Sequence, residues 1–215
     1  MKILLTTLNS KYIHSNLALK YLYAVCEDYH EDLYLKEFTI NNDNDYIYGE
    51  LIRDGYDIIC FSCYIWNIER TLSLVDDLKK AKPNLIIILG GPEVSYQVYD
   101  LIVNNKGIDY ILTGEGEENF PLLLEAISQN NMEKIKTIEG LIYRHDGGIY
   151  TNAEASPVDF ESVPFPYKSL VSEVDKIIYY ESSRGCPFSC SYCLSAADRG
   201  VRVLPLDRVK QDLSY

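Results

Sequence analysis

Cys186, Cys190 and Cys193 have the spacing C-x-x-x-C-x-x-C within ESSRGCPFSCSYCLS, residues 181–195. Thiolates on one short loop can converge on a compact soft-metal site, and Gly185 and Pro187 shape the backbone around it. Structural zinc usually takes four protein ligands, and a redox dithiol needs only two. A four-iron cluster held by three cysteines leaves one iron open to a small molecule, so three thiols are a functional set there. The alternatives are a zinc site completed by a distant ligand, or thiols with no ligand. Cys26, Cys60 and Cys63 are scattered through helix and strand patterns and read as buried core thiols.

A second group of candidate residues follows apolar runs. In open parallel sheets, ligands bind beyond the carboxyl ends of the strands. Three such loops are present: SCYIWN (62–67), GGPE (90–93) and TGEGE (113–117). Gly90, Gly91 and Gly114 allow close backbone approach to a flat or bulky ligand, but none of the loops is the G-x-G-x-x-G of dinucleotide sites.

The elements that must position these loops follow from periodicity. KILLTTL (2–8), DLYLKEFTI (32–40), YDIICFSC (56–63) and NLIIILGG (84–91) are expected strands, with a short fifth strand inside 107–113. Between them, helical spacing spans a segment from Leu17 to Val25 capped by Ser15, a segment over 45–55 stopped by Gly55, and one over 67–83. A last helix follows TGEGE, with Glu117 and Glu118 at its start. Alternating βα units predict an α/β, doubly wound parallel-sheet domain over residues 1–130.

From 131 to 174 the character changes to a hairpin around Asp146-Gly147-Gly148 and a proline-rich linker over 155–170. From 175 to 215 come a predicted strand (175–182), the cysteine loop and a helix from 205. Strand, functional loop, helix is how a (β/α) barrel presents its active-site groups.

The chain has 215 residues and a net charge of −12, which repels phosphate backbones and anionic lipid and argues against nucleic acid or membrane as partners. No stretch reaches the roughly 20 apolar residues of a membrane span, and MKILLTTLNSKY lacks the pattern of an export signal. A reducing, cytoplasmic setting is therefore expected, where clustered cysteines serve metal or redox chemistry.

The segment 181–195 resembles the signature of radical S-adenosylmethionine (SAM) enzymes, C-x-x-x-C-x-Φ-C, with Tyr192 at the aromatic position Φ. The order of the three strand-end loops resembles the flavodoxin-like, cobalamin-binding domain that precedes the barrel in many of these proteins. The resemblance implies a 4Fe-4S cluster on Cys186, Cys190 and Cys193, SAM on its open iron with Tyr192 near the adenine, and cobalamin at the sheet edge. It implies that Ser62, Tyr64, Trp66, Asn67, Gly90, Gly91, Gly114 and Glu115 line the cobalamin pocket. One departure concerns cobalt. Many cobalamin domains carry D-x-H-x-x-G after the first strand; here Asn9-Ser10-Lys11-Tyr12-Ile13-His14 stands there. Radical SAM relatives often lack that histidine, so the lower face of cobalt is left unassigned, with His14 in the right loop.

The reading implied is the amino-terminal part of a cobalamin-dependent radical SAM enzyme, with methyl transfer as one reaction and an external electron donor such as flavodoxin or ferredoxin. No catalytic side chain and no substrate, whether small molecule or peptide, is assigned. Little sequence follows Cys193, against about 200 residues for a complete barrel, so the chain alone is expected not to turn over SAM. The competing readings are a non-catalytic cobalamin carrier, a zinc-stabilised module, and a flavodoxin-like fold without its ligand.

Overall fold

The computed structural model describes residues 1–96, 98–168, 175–194 and 200–215. The end of the expected linker (169–174) and Ser195, the last residue of the cysteine segment, lie outside the described residues.

Seven strands form one sheet: β1 (Ile3–Asn9), β2 (Leu33–Thr39), β3 (Ile58–Ser62), β4 (Ile86–Gly90), β5 (Tyr110–Leu112), β6 (Leu141–His145) and β7 (Gly148–Thr151). Their order is β2-β1-β3-β4-β5-β6-β7. The first five are parallel, the order of the flavodoxin-like doubly wound fold. The chain reverses direction across the sheet between β1 and β3, which creates a crevice at their carboxyl ends.

Alternation along the strands supplies a core on each face. Leu4, Leu8, Ile59, Phe61, Ile87 and Leu89 meet α2 (Asn44–Arg53), α3 (Ile68–Ala81) and α4 (Val98–Asn104). Ile3, Leu5, Ile58, Cys60 and Ile88 meet α1 (Leu17–Val25), α5 (Asn119–Ser128) and α6 (Met132–Ile135). Both faces are apolar because both are covered, which is why the parallel strands read as nearly continuous hydrophobic runs.

Four features differ from the sequence expectation. The cap of α1 is Asn16, whose Oδ1 accepts from the Leu19 amide at 2.9 Å; Ser15 instead donates to the Ile177 carbonyl at 3.1 Å. Helix α4 is not among the expected elements, since only Ile102 of its seven residues is fully buried and its apolar periodicity is weak. The hairpin β6–β7 does not stand apart: β6 pairs antiparallel with β5, so the sheet runs past residue 130 to Thr151. The fourth concerns 175–182, which forms no strand. The strand is β8 (Ser183–Cys186), paired antiparallel with β9 (Gly200–Val203) and followed by α7 (Leu206–Leu213). Ile177 is instead tied by its amide to the Ile13 carbonyl at 2.8 Å, so backbone contact with the loop after β1 overrides its strand propensity.

The proline-rich segment is irregular, as expected, but it is packed. Val158, Phe160 and Val163 share a small core with Tyr21 of α1 and Leu204. It straps the carboxyl-terminal hairpin onto the sheet domain.

Candidate functional site

The crevice at the β1–β3 switch point is built from polar residues at the ends of apolar strands. Asn67 is buried at the start of α3; its Nδ2 donates to the carbonyls of Leu8 and Ser62 at 3.1 Å and to Thr7 Oγ1 at 3.2 Å. Its Oδ1 accepts from the Tyr64 amide at 2.8 Å. One side chain therefore pins the 62–67 loop to β1. Trp66 Nε1 also donates to the Leu8 carbonyl, at 3.2 Å, and the Trp66 and Tyr64 rings stack with centroids 4.5 Å apart and planes 6° from parallel. Trp66 is 44% exposed and Ile65 77%, so the loop offers an aromatic and apolar surface to solvent.

The opposite wall comes from β1, β2 and the start of α1. Asn16 Nδ2 donates to Tyr64 Oη at 3.1 Å. Glu37 Oε2 accepts from Asn9 Nδ2 at 2.5 Å and from the Asn16 amide at 2.9 Å, and Lys20 Nζ stands 3.9 Å from Glu37 Oε1. Lys20 and Glu37 side chains are almost fully buried, so the pair fixes this wall from beneath. His14 Nδ1 hydrogen-bonds Tyr179 Oη, and the two rings stack. Together these groups line an open cavity of about 290 Å³ that includes Asn9, His14, Asn16, Tyr64, Trp66 and Tyr179.

Of the expected pocket residues, Ser62, Tyr64, Trp66 and Asn67 are brought together here. Gly90 and Gly91 sit behind the loop: the Cys63 amide donates to the Gly90 carbonyl at 2.7 Å, and Gly91 has φ +103. Gly114 and Glu115 are elsewhere. A Cβ on Gly114 would lie 2.9 Å from Ala155 Cβ, so the strap covers it. Glu115 accepts from the Val158 amide at 2.8 Å and from Arg202 at 2.5 and 2.9 Å. Asn16, Glu37 and Tyr179 are not among the expected site residues; the readable signal is polar Thr7 and Asn9 in a strand buried along its whole length.

Cys186 ends β8, while Cys190 and Cys193 are exposed and joined by a turn in which the Cys193 amide donates to the Cys190 carbonyl at 3.1 Å. None of the three is in a disulfide. Among the described residues no three His, Cys, Asp or Glu side chains are gathered for a metal ion. The donor set suits a soft metal or iron-sulfur cluster, but the loop does not form a closed site. Tyr192 is 91% exposed on the same loop.

The family model described as the B12 binding domain matches residues 3–124. This chain belongs to the B12-binding domain family. The match covers β1 to α5 and so includes every strand end that forms the crevice. The B12-binding chain is 27% identical to the hopanoid C-3 methylase of Methylococcus capsulatus, over 85% of this chain and 36% of that protein. It is 27% identical to the cobalamin-dependent radical SAM methyltransferase TokK of Streptomyces tokunonensis, over 74% of this chain and 25% of that protein. It thus spans little more than a third of the length of these curated relatives, or less. The solved apo structure of the cobalamin-dependent S-adenosylmethionine radical enzyme OxsB superposes with a TM-score of 0.75 at 20% identity, over 99% of this chain and 31% of that one, a likeness of fold. Among the described residues no helix is long and apolar enough to cross a membrane.

Proposed function

We propose that this chain carries the cobalamin site and the cluster ligands of a cobalamin-dependent radical SAM methyltransferase. The observation that carries the reading is the B12-binding domain match across the crevice, in a chain whose C-x-x-x-C-x-x-C loop is strapped to the same sheet.

The crevice residues fit the cofactor. Stacked Tyr64 and Trp66 offer a flat apolar wall, with Asn16 holding Tyr64 in place and His14 and Tyr179 lining the same cavity. Asn67 and the buried Lys20–Glu37 pair hold the two walls, so the site is largely preformed. Cys186, Cys190 and Cys193 would hold a 4Fe-4S cluster, and Tyr192 would border SAM. When bound, these groups supply a carbon-centred radical from reductive cleavage of SAM, and cobalamin a transferable methyl group. The part of this chain is to hold them in register. An electron donor such as flavodoxin or ferredoxin completes the scheme.

The test is anaerobic reconstitution with ferrous salt and sulfide, followed by gel filtration with hydroxocobalamin. Iron, sulfide and a cobalamin spectrum should co-elute with the protein, and the iron should be lost in Cys186→Ala, Cys190→Ala or Cys193→Ala. Zinc uptake without iron would leave a zinc-stabilised module, and loss of cobalamin on the column would leave a fold without its ligand.

A further inference from the structure

Arg184 of β8 and Arg202 of β9 are directly opposed across the hairpin that carries Cys186. Like charges in that position repel and weaken a two-stranded ribbon. Here the compensation comes from the B12-binding domain. Glu115, in the turn after β5, takes Arg202 in a two-pronged contact at 2.5 and 2.9 Å and stands 3.4 Å from Arg184 Nη1. Glu117 takes Arg184 Nη2 at 2.5 Å, and Glu181 takes its Nε at 2.9 Å. The guanidinium lies 5.1 Å from the Tyr21 ring centroid and 4.5 Å from that of Phe160, with only 9% of the side chain exposed.

Only Gly185 separates Arg184 from Cys186, and it has φ +90, where any side chain would be strained. The path from the carboxylates to the first thiol is thus short, and the pairing of Gly185 with Val201 and of Cys186 with Gly200 holds it. Cys190 and Cys193 lie beyond it on exposed loop.

We infer that Arg184 is a positioning residue: through Glu115 and Glu117 it fixes Cys186 against the carboxyl edge of the sheet, setting where a cluster can form relative to the cobalamin crevice. Arginine is required because its planar fork reaches separate acceptors at once, which an ammonium cannot reproduce. The significance for a cluster rests on the proposed function; the clamp itself does not.

The experiment is alkylation of the metal-free, reduced full chain by iodoacetamide, with each cysteine quantified by mass spectrometry. In Arg184→Lys and in Glu117→Gln, Cys186 should react at least about tenfold faster, as expected for a local opening that leaves the rest of the fold in place. Cys190 and Cys193, already exposed, should change little, and Cys26, Cys60 and Cys63 should stay protected, which controls for folding. Equal Cys186 rates in the variants and the unaltered chain would overturn the inference. If Arg184→Lys also exposes Cys26 and Cys60, Glu115→Gln decides by the same comparison. In iron-loaded protein, Glu117→Gln should change the electron paramagnetic resonance line shape of the reduced cluster at unchanged iron content. Failure of the unaltered chain to take up iron would sink the cluster reading while the alkylation result still judges the clamp.

Discussion

Gly91 lies against Cys63 so closely that a Cβ added to it would be 2.6 Å from the Cys63 carbonyl oxygen and 2.9 Å from its amide nitrogen. The contact joins the end of β4 to the second residue of the 62–67 loop, and backbone rather than side chain stands in the way. Gly91→Ala should therefore cost about 2–4 kcal/mol, combining a left-handed backbone with a clash that cannot relax cheaply. Gly49 is the control: it is exposed within α2, with nothing within 4 Å of an added Cβ. Gly49→Ala should stabilise by about 0.5–1 kcal/mol. Urea denaturation of both variants checks the pair.

The contrast shows what sequence can and cannot convey. A Gly-Gly after an apolar run signals close approach, but not whether a ligand or the protein's own backbone approaches; at Gly91 it is Cys63. Strands β1, β3 and β4 were legible because both faces are buried. The 62–67 loop was legible because polar and aromatic residues follow such a strand. Glu37 was not, because its role depends on β2 lying beside β1, with Glu37 in register with Thr7. Glu115 was visible as a loop residue, but its partner Arg202 is 87 positions away. The segment 175–182 has strand-like composition, and only tertiary contact with Ile13 and Ser15 shows why it is not one.

Asn67 should be irreplaceable by either obvious substitute. Asn67→Ala takes the acceptor from the Tyr64 amide and one of the donors from each of the buried Leu8 and Ser62 carbonyls, which keep Trp66 Nε1 and Thr7 Oγ1, and should cost about 2–3 kcal/mol. Asn67→Asp keeps an acceptor for Tyr64 but turns an oxygen toward those carbonyls, and should be worse. Denaturation midpoints order the three proteins.

Trp66 is the single tryptophan of the chain and sits in the crevice. Hydroxocobalamin should quench its fluorescence saturably. Tyr64→Ala removes the stacked neighbour and should weaken binding about tenfold, the scale of a lost aromatic contact. Quenching with no saturation would show that the crevice does not hold the cofactor.

The cysteines should separate into classes under a thiol reagent. Cys190 and Cys193 are exposed and should react at once, with Cys186 slower. Burial pushes the Cys26 thiol up to about 12 and raises Cys60 and Cys63 as well. Those three should react only after denaturation. Absorbance of the released chromophore gives the counts before and after.

Acid should loosen the clamp through Glu115. Burial alone would raise its carboxyl, but hydrogen bonds from Arg202 and the Val158 amide and the charge of Arg184 hold it below the ordinary range. A depressed carboxylate stabilises the fold above its unfolded pKa of about 4.3, and this is lost as pH falls through the lower folded value. Glu181 has the opposite sign: burial raises it despite Arg184, so its contribution is present at low pH and lost as pH rises through its folded value. Glu115→Gln should flatten the acid limb of a stability-versus-pH curve, and Glu181→Gln should lift the neutral region.

The hairpin on the outer side of β5 also determines how the cofactor domain can be cut out. β5 is only three residues long, and β6 occupies its outer hydrogen-bonding edge. A fragment ending near residue 130 would bare that edge and uncover Ile111, inviting strand exchange between molecules and insoluble protein. A fragment carried through Thr151 and on to Val163 keeps the edge capped and retains the strap residues that cover α1, so it is the shortest piece expected to stay monomeric in a cofactor-binding assay.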